Sequence, residues 1–455
     1  MRTPRFVAAP LKRVLEPEAE TPTRAALART LWGSYARARA AKVKLSSDWR
    51  NGELSGTGAP RHDPLCRERY REHLVTSLLP FWTEHSIDPE FGGFLTCLTR
   101  DGRIFDTVKV SAMQARMIYS FVRGHEVLDD GANLDTAGRG LEFLVDHMWD
   151  RDAGGWFQAV TRNGETLRAH KRLFDQAYVL LGLSVYARTS GDPDVLERAV
   201  ETYDLLERYA WDDEHGGYYE RCGRDWALSS SDKTLQVQLD MLEAVRSLAS
   251  VTHRREHVAR GEQLTDLVMT RMRDPRTGCF VEHFHRDWRS HPLRTKDVIQ
   301  IGHNLKAIWL LPQGRDPADD HGPAMLTTGR EVMDFCLEHG WDHRYGGFFQ
   351  FVARNGSIAR AEKQWWPMCD GMLALLTLLA AVGDPRYRTH AAALEAFAFR
   401  HFADPVFGEW YTACRRDGSP LDKTKGRSWK AAYHTVQLCA DALDLLPVRS
   451  GGSRG

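Results

Sequence analysis

The chain has 455 residues, 42% hydrophobic and 27% charged, which is the composition of a globular protein. Lys plus Arg and Asp plus Glu each number 61, so no whole-molecule field favours nucleic acid or an acidic membrane as partner. Eight cysteines stand singly without a C-x-x-C pair, and no uninterrupted apolar run of about 18 residues occurs, which argues against a zinc ribbon or a spanning helix and for a reduced, cytoplasmic protein.

Residues 1–62 differ from the rest. They are rich in Arg, Ala and Pro, carry one amphipathic helical stretch near 22–44, and end in the polar segment SSDWRNGELSGTGAP, which reads as a linker. The stretch lacks the apolar core and cleavage site of a secretory signal. A docking arm, an organelle-targeting peptide and an appended or partly disordered helix all remain open for it. Residues 63–447 form the expected catalytic domain, and 448–455 a disordered tail.

From residue 63 onward the chain is periodic. Six Gly-aromatic signatures recur at Gly92, Gly154, Gly216, Gly278, Gly346 and Gly408, spaced by 62, 62, 62, 68 and 62 residues. An aspartate precedes each marker by four places: Asp88, Asp150, Asp212, Asp274, Asp342 and Asp404. In four of the six units a second glycine follows ten places on, in TRDG, TRNG, ARNG and RRDG. This pattern predicts a small β-hairpin in each unit. An amphipathic helical pattern such as DVLERAVETYDLLERYAW precedes each hairpin, and a more apolar one such as FDQAYVLLGLSVYA follows it. A helix that is apolar all round must lie between others. Six units of outer helix, hairpin and inner helix therefore predict an all-α (α/α)6 barrel, a six-hairpin toroid, with an open solenoid of the same repeats as the alternative.

The register also predicts what faces the barrel interior. Counting 24 residues from each marker glycine lands on Arg116, Tyr178, Asp240, Gly302, Asp370 and Ala432, with His303 and His434 one and two places further. Polar groups buried unpaired cost about 1–3 kcal/mol each, so a run of them at one depth predicts a water-filled substrate pocket. Trp365, Trp366 and Trp429 fall at the same level. Their faces suit the apolar C–H faces of sugar rings, with a role as core anchor the alternative, most of all for Trp365.

These residues carry a family resemblance. The strings QAR (114–116), KRLFDQAYVLLGL, LDMLEA (239–244), IGHNLKAIWLL, KQWWPMCD and WKAAYH resemble the N-acylglucosamine 2-epimerase superfamily, which includes cellobiose 2-epimerases and mannose isomerases. The resemblance implies an (α/α)6 barrel in which two histidines, here His303 and His434, move the C2 proton of an open-chain sugar. It also implies Arg116 as a catalytic arginine and Trp366 and Trp429 as stacking residues, with Tyr178, Asp240, Lys306 and Asp370 completing the substrate pocket. The implied partner is a mono- or disaccharide; no cofactor and no metal are expected, and a homodimer is left open.

Two departures stand out against that family. Asp240 replaces a usual histidine, and Lys306 replaces a usual glutamate three residues after the first catalytic histidine. A lysine one turn from His303 is expected to favour the neutral imidazole. Lys306 then either binds an anionic sugar group or forms an ion pair with Asp240 or Asp370. Two other functional classes stay in view: a glycoside hydrolase using a carboxylate pair drawn from Asp175, Asp240 and Asp370, and a non-catalytic sugar- or protein-binding member of the family.

Overall fold

The structure, a computed structural model, describes residues 64–291, 297–313 and 322–447. The N-terminal extension and the C-terminal tail lie outside the described residues. In the first unit, α1 (Arg67–His73) passes through a π-helical turn (Leu74–Leu78) into α2 (Leu79–His85), and the inner helix is α3 (Ser111–Leu128). The next pairs of outer and inner helix are α4 (Gly131–Met148) with α5 (Leu173–Ser190), and α6 (Pro193–Ala210) with α7 (Leu235–Thr252). They are followed by α8 (Arg255–Arg271) with α9 (Ile301–Leu310), α10 (Gly322–Phe335) with α11 (Trp365–Val382), and α12 (Pro385–His401) with α13 (Tyr433–Leu445).

Inner helices turn into outer ones through very short links. Gly191 and Gly383 adopt φ of +71° and end α5 and α11. The next residues, Asp192 and Asp384, cap α6 and α12 by accepting from backbone N–H groups of the first turn, with proline at the first helical position. Each inner helix packs on the next, and α13 packs on α3, so the ring is closed and the solenoid alternative falls. Helix α11 is long and apolar enough to cross a membrane by length and composition, which the sequence reading overlooked because Asp370 and Pro367 interrupt it. It is an inner barrel helix, 67% buried.

The hairpins depart from the expectation in one respect. Five of the inner helices are entered directly from a further strand that joins one hairpin to the next, Val298–Gln300 with Phe351–Ala353 among them. Lys109–Val110 pairs with Ala159–Val160, Lys171–Arg172 with Arg221–Cys222, Lys233–Thr234 with His283–Phe284, and Lys363–Gln364 with Ala413–Cys414, all antiparallel. Such pairing joins residues of successive units, which a hairpin pattern read within one unit does not reveal.

The recurrent aspartates turn out to be the joints of the ring. Each marker glycine lies at φ between +71° and +82°, a region closed to most side chains, and its N–H donates to the carbonyl of the aspartate four places earlier. The aspartate side chain binds a buried lysine of its own unit in Lys109–Asp88, Lys171–Asp150, Lys233–Asp212, Lys363–Asp342 and Lys425–Asp404, at 2.8–3.1 Å. It also binds an arginine from the following hairpin: Arg162 on Asp88, Arg224 on Asp150, Arg286 on Asp212, Arg354 on Asp274 and Arg416 on Asp342. Arg100 of the first unit completes the circuit on Asp404 of the last at 2.8 Å. Although burial opposes ionisation, these partners hold Asp404 down at about 2 and Asp88, Asp150 and Asp212 lower still.

Candidate active site

The joining strands bring the first turns of the inner helices to one mouth. The first N–H of an inner helix donates to the carbonyl of the fourth residue after the marker glycine in the next unit: Ser111 to Gln158, Leu173 to Glu220, Leu235 to Glu282, Ile301 to Gln350 and Trp365 to Thr412. One register thus sets the inner-helix residues at a common depth and another sets polar hairpin residues beside them. A cavity of about 340 Å³ opens there, within the range of small-molecule sites, about 300–1,000 Å³.

All nine predicted site residues line this cavity: Arg116, Tyr178, Asp240, His303, Lys306, Trp366, Asp370, Trp429 and His434. Sequence reasoning missed Phe174, Gln236, Gln300, Gln350 and Gln364 in the same wall. Asp175, weighed as a carboxylate for hydrolysis, is fully buried and held by Arg172 through bonds of 2.7 and 3.0 Å, outside the cavity lining. Asp240 Oδ1 is engaged by Lys306, and Asp370 Oδ1 accepts from Trp309 Nε1 at 3.2 Å, so each of these two carboxylates has one oxygen bonded within the protein.

The two histidines have opposite electrostatic settings. His303 Nδ1 donates to Glu282 Oε2 at 2.6 Å, leaving Nε2 as the other ring nitrogen. Burial lowers the proton affinity of His303, but the Glu282 charge and hydrogen bond outweigh it, with Asp240 adding and Lys306 opposing, so its pKa is raised. The direction runs against the expected preference for a neutral His303: Lys306 opposes the charged ring as expected, but Glu282 outweighs it. His434 Nδ1 lies 3.5 Å from Asp370 Oδ2 without a hydrogen bond. Burial dominates there, helped by Arg116 and Lys306 and only partly offset by Asp370, and the His434 pKa is lowered. Both rings pack on Trp366, at centroid distances of 5.1 Å for His303 and 5.9 Å for His434. Gly302 makes that contact feasible, since a Cβ at this position would fall 2.2 Å from the Trp366 ring.

Lys306 forms the floor. Its Nζ donates to Asp240 Oδ1 at 2.7 Å, lies 2.8 Å from Glu243 Oε2, and is 3.4 Å from the Tyr178 hydroxyl. The Glu243 carboxylate also accepts from Tyr433 and, at 3.3 Å, from Gln437. Of the two sequence-based readings of Lys306, the ion pair with Asp240 is the one present, extended by Glu243; no contact with Asp370 forms. Burial disfavours the ammonium, yet the two carboxylates hold its pKa well above the usual range.

Arg116 sits between aromatic faces, its guanidinium carbon 3.9 Å from the Tyr178 ring centre and 4.9 and 5.2 Å from those of Phe174 and Tyr433. Its Nη1 donates to the Trp429 carbonyl at 3.3 Å. Trp365 is 1% exposed and Trp429 43% exposed, with ring centres 5.4 Å apart, so the first anchors and the second presents a face at the mouth. Six buried polar atoms of this lining have no hydrogen-bond partner: Arg116 Nε, Asp240 Oδ2, Gln300 Oε1, Trp365 Nε1, Asp370 Oδ2 and His434 Nδ1. Such atoms are costly unless something supplies bonds, and a polyhydroxylated ligand does so. Among the described residues, the grouping spaced to hold a cation is Asp232, His285 and His291, which lies outside this lining.

The family model described as N-acylglucosamine 2-epimerase (GlcNAc 2-epimerase) matches residues 93–438. A cellobiose 2-epimerase of Bacteroides fragilis is 27% identical over 395 residues, spanning 84% of this chain and 99% of that protein. An N-acylglucosamine 2-epimerase of Bos taurus is 26% identical over 393 residues, spanning 81% and 88%. The solved structure of cellobiose 2-epimerase from Spirochaeta thermophila superposes with a TM-score of 0.75 at 28% identity, covering 83% of this chain and 96% of that one.

Proposed function

As the chain belongs to the N-acylglucosamine 2-epimerase family, we propose that it is a sugar epimerase or isomerase acting at C2 of an open-chain aldose, with His303 and His434 as the two proton-transfer groups. The observation that carries this reading is the pair of imidazoles packed on Trp366 in one cavity, one environment favouring the charged ring and the other the neutral ring. Two groups whose surroundings push their pKa values apart make an acid and a base available together at neutral pH.

The C2–H of an aldose is acidic only when C1 is a carbonyl, so the reaction starts from the open chain. Neutral His434 takes the C2 proton; the C–H electron pair becomes the C1–C2 double bond, and the carbonyl electrons move to O1 as an enediolate. Arg116, a permanent cation in a desolvated aromatic cage, lowers the energy of that oxyanion. His303, charged through Glu282, returns a proton from Nε2. Delivery to C2 on the opposite face restores the C1 carbonyl and gives the epimer. Delivery to C1, with the O2 proton moving to O1, gives the ketose. Turnover leaves the two rings with exchanged protonation states, and solvent exchange resets them. Trp429 and Trp366 offer faces to the sugar, and the unpartnered oxygens of Asp240, Asp370 and Gln300 accept from its hydroxyls.

The test is proton NMR in D2O with a panel of aldoses, amino sugars, uronic acids and β-1,4-disaccharides. Loss of a C2 proton signal together with new epimer or ketose peaks is expected. Absence of exchange with every sugar, from protein that is folded, overturns the assignment.

A further inference from the structure

A second cavity of about 370 Å³ adjoins the first and shares Phe174, Gln236 and Trp429 with it. Its wall carries three arginines, Arg168, Arg172 and Arg221. Arg172 and Arg221 stand directly opposite each other in the antiparallel pair Lys171–Arg172 with Arg221–Cys222. Like charges in that arrangement repel, so the sheet carries an electrostatic cost that an anion would relieve.

Arg172 is fixed in place. Asp175 grips it through two bonds, and its guanidinium carbon lies 4.8 Å from the centre of the Phe174 ring, the same ring that faces Arg116 at 4.9 Å. Arg168 and Arg221 are exposed, and neither side chain makes an ion pair or hydrogen bond among the described residues. The acidic side chains of the same wall are Glu220 and Glu282, and Glu282 is committed to His303. The combined positive field is felt at neighbouring His170, whose pKa is lowered first by burial and then by Arg221, with Arg172 and Arg168 contributing. Gln158 Oε1, also in this wall, is buried without a partner and is placed to accept from a hydroxyl.

We propose that the substrate is an acidic sugar: its C1–C2 end lies between His303 and His434, and its remote end carries a carboxylate or phosphate bound by Arg168 and Arg221, with Arg172 behind them. The proposal rests on the aldose reading above and names the class of sugar. It assigns anion recognition to the adjoining cavity because Lys306 is closed off by Asp240 and Glu243. The two arginines meet the ligand from exposed positions, where an anion keeps part of its hydration and the gain comes from charge complementarity.

The experiment compares matched pairs on the full chain by C2 exchange: glucose with glucose 6-phosphate, and cellobiose with the β-1,4-disaccharide whose non-reducing residue is glucuronate. The two pairs separate a phosphate close to the reacting end from a carboxylate on a second ring. The acidic member of at least one pair is expected to show a kcat/KM higher by about tenfold, the scale of one charge-assisted contact. That preference should shrink as salt is raised and collapse in the Arg168→Glu/Arg221→Glu double variant, or in Arg168→Gln/Arg221→Gln if charge reversal impairs folding. Arg103→Glu, at an 80% exposed side chain paired with Asp101 on another hairpin, should retain it. Equal or better turnover of both neutral members, or a preference that survives the double variant, overturns the proposal. Calorimetry with sorbitol 6-phosphate against sorbitol decides the anion site independently, since neither polyol can form a carbonyl. Tighter binding of the phosphate that depends on the two arginines supports the site even if no sugar exchanges its C2 proton, a result that would remove the aldose reading instead. Equal binding of the two polyols, together with equal turnover within the disaccharide pair, removes the anion site.

Discussion

Glu282 links two inner helices: its Oε2 accepts from His303 Nδ1 at 2.6 Å, while its Oε1 accepts from the N–H of Gln236 in the first turn of α7 at 3.3 Å. The carboxylate is therefore oriented by one helix while it raises the pKa of an imidazole on another. His303 must be protonated to donate, so activity is lost as pH rises through its raised pKa. His434 must be neutral to accept, so activity is lost as pH falls through its lowered pKa. The expected pH–rate profile is a bell whose alkaline limb belongs to His303 and whose acid limb belongs to His434. In Glu282→Gln the alkaline limb should move to lower pH while the acid limb stays, with kcat falling about tenfold or more. A profile whose alkaline limb does not move would disconnect Glu282 from His303.

His303→Asn and His434→Asn are each expected to lower C2 exchange by about 10²–10⁴-fold, the usual range for a positioned acid or base. Circular dichroism should remain that of the parent barrel. Substantial exchange by either variant would move the proton transfer to another group.

Lys306 is a structural cation in this arrangement. Lys306→Met leaves Asp240 and Glu243 facing each other with 3–7% of their area exposed, and should cost about 3–5 kcal/mol in urea unfolding. Adding Asp240→Asn and Glu243→Gln to Lys306→Met should recover most of that loss, since no uncompensated charge remains. A Lys306→Met protein as stable as the parent would show that the carboxylates take up protons without penalty.

Closure of the ring rests on Asp404, which binds Lys425 within the last unit and Arg100 from the first. Asp404→Asn should destabilise by about 3 kcal/mol because it strands a fully buried lysine. The pH dependence has a definite sign. The folded pKa of Asp404, about 2, lies below the usual 3.8, so its contribution is present above 3.8 and is lost as pH falls towards 2. Asp88, Asp150 and Asp212 act in the same direction, and acid unfolding monitored by far-UV circular dichroism should be steep in that window for the parent and shallower for Asp404→Asn.

Trp429 presents an accessible face at the mouth and touches Arg116 only through its carbonyl. Trp429→Ala should therefore raise KM by about tenfold, with a smaller effect on kcat, because stacking contributes to binding of substrate and transition state alike. A drop confined to kcat would instead indicate that the Trp429 backbone has lost its hold on Arg116.

The period, the number of units and the depth at which side chains meet the cavity are all legible along the chain. These depend on local spacing, and a 62-residue repeat of Asp, Gly and aromatic residues fixes the backbone of every unit alike. Six such units close, and the count from marker glycine to inner helix picks out Arg116, Tyr178, Asp240, His303, Asp370 and His434, six of the nine predicted residues that line one cavity. A second register, four residues after each marker, was equally legible as Thr96, Gln158, Glu220, Glu282, Gln350 and Thr412, every one polar. It went unread because four residues into a hairpin carries no meaning until the neighbouring helix is known to start there. The partners, by contrast, come from the folded arrangement. Lys306 meets Asp240 and Glu243 across 66 and 63 positions, Arg100 meets Asp404 across 304, and Arg172 faces Arg221 across 49. The engagement of Lys306, the closure of the ring and the arginines of the second cavity follow from those pairings, because electrostatic energy falls with distance through space and is blind to distance along the chain.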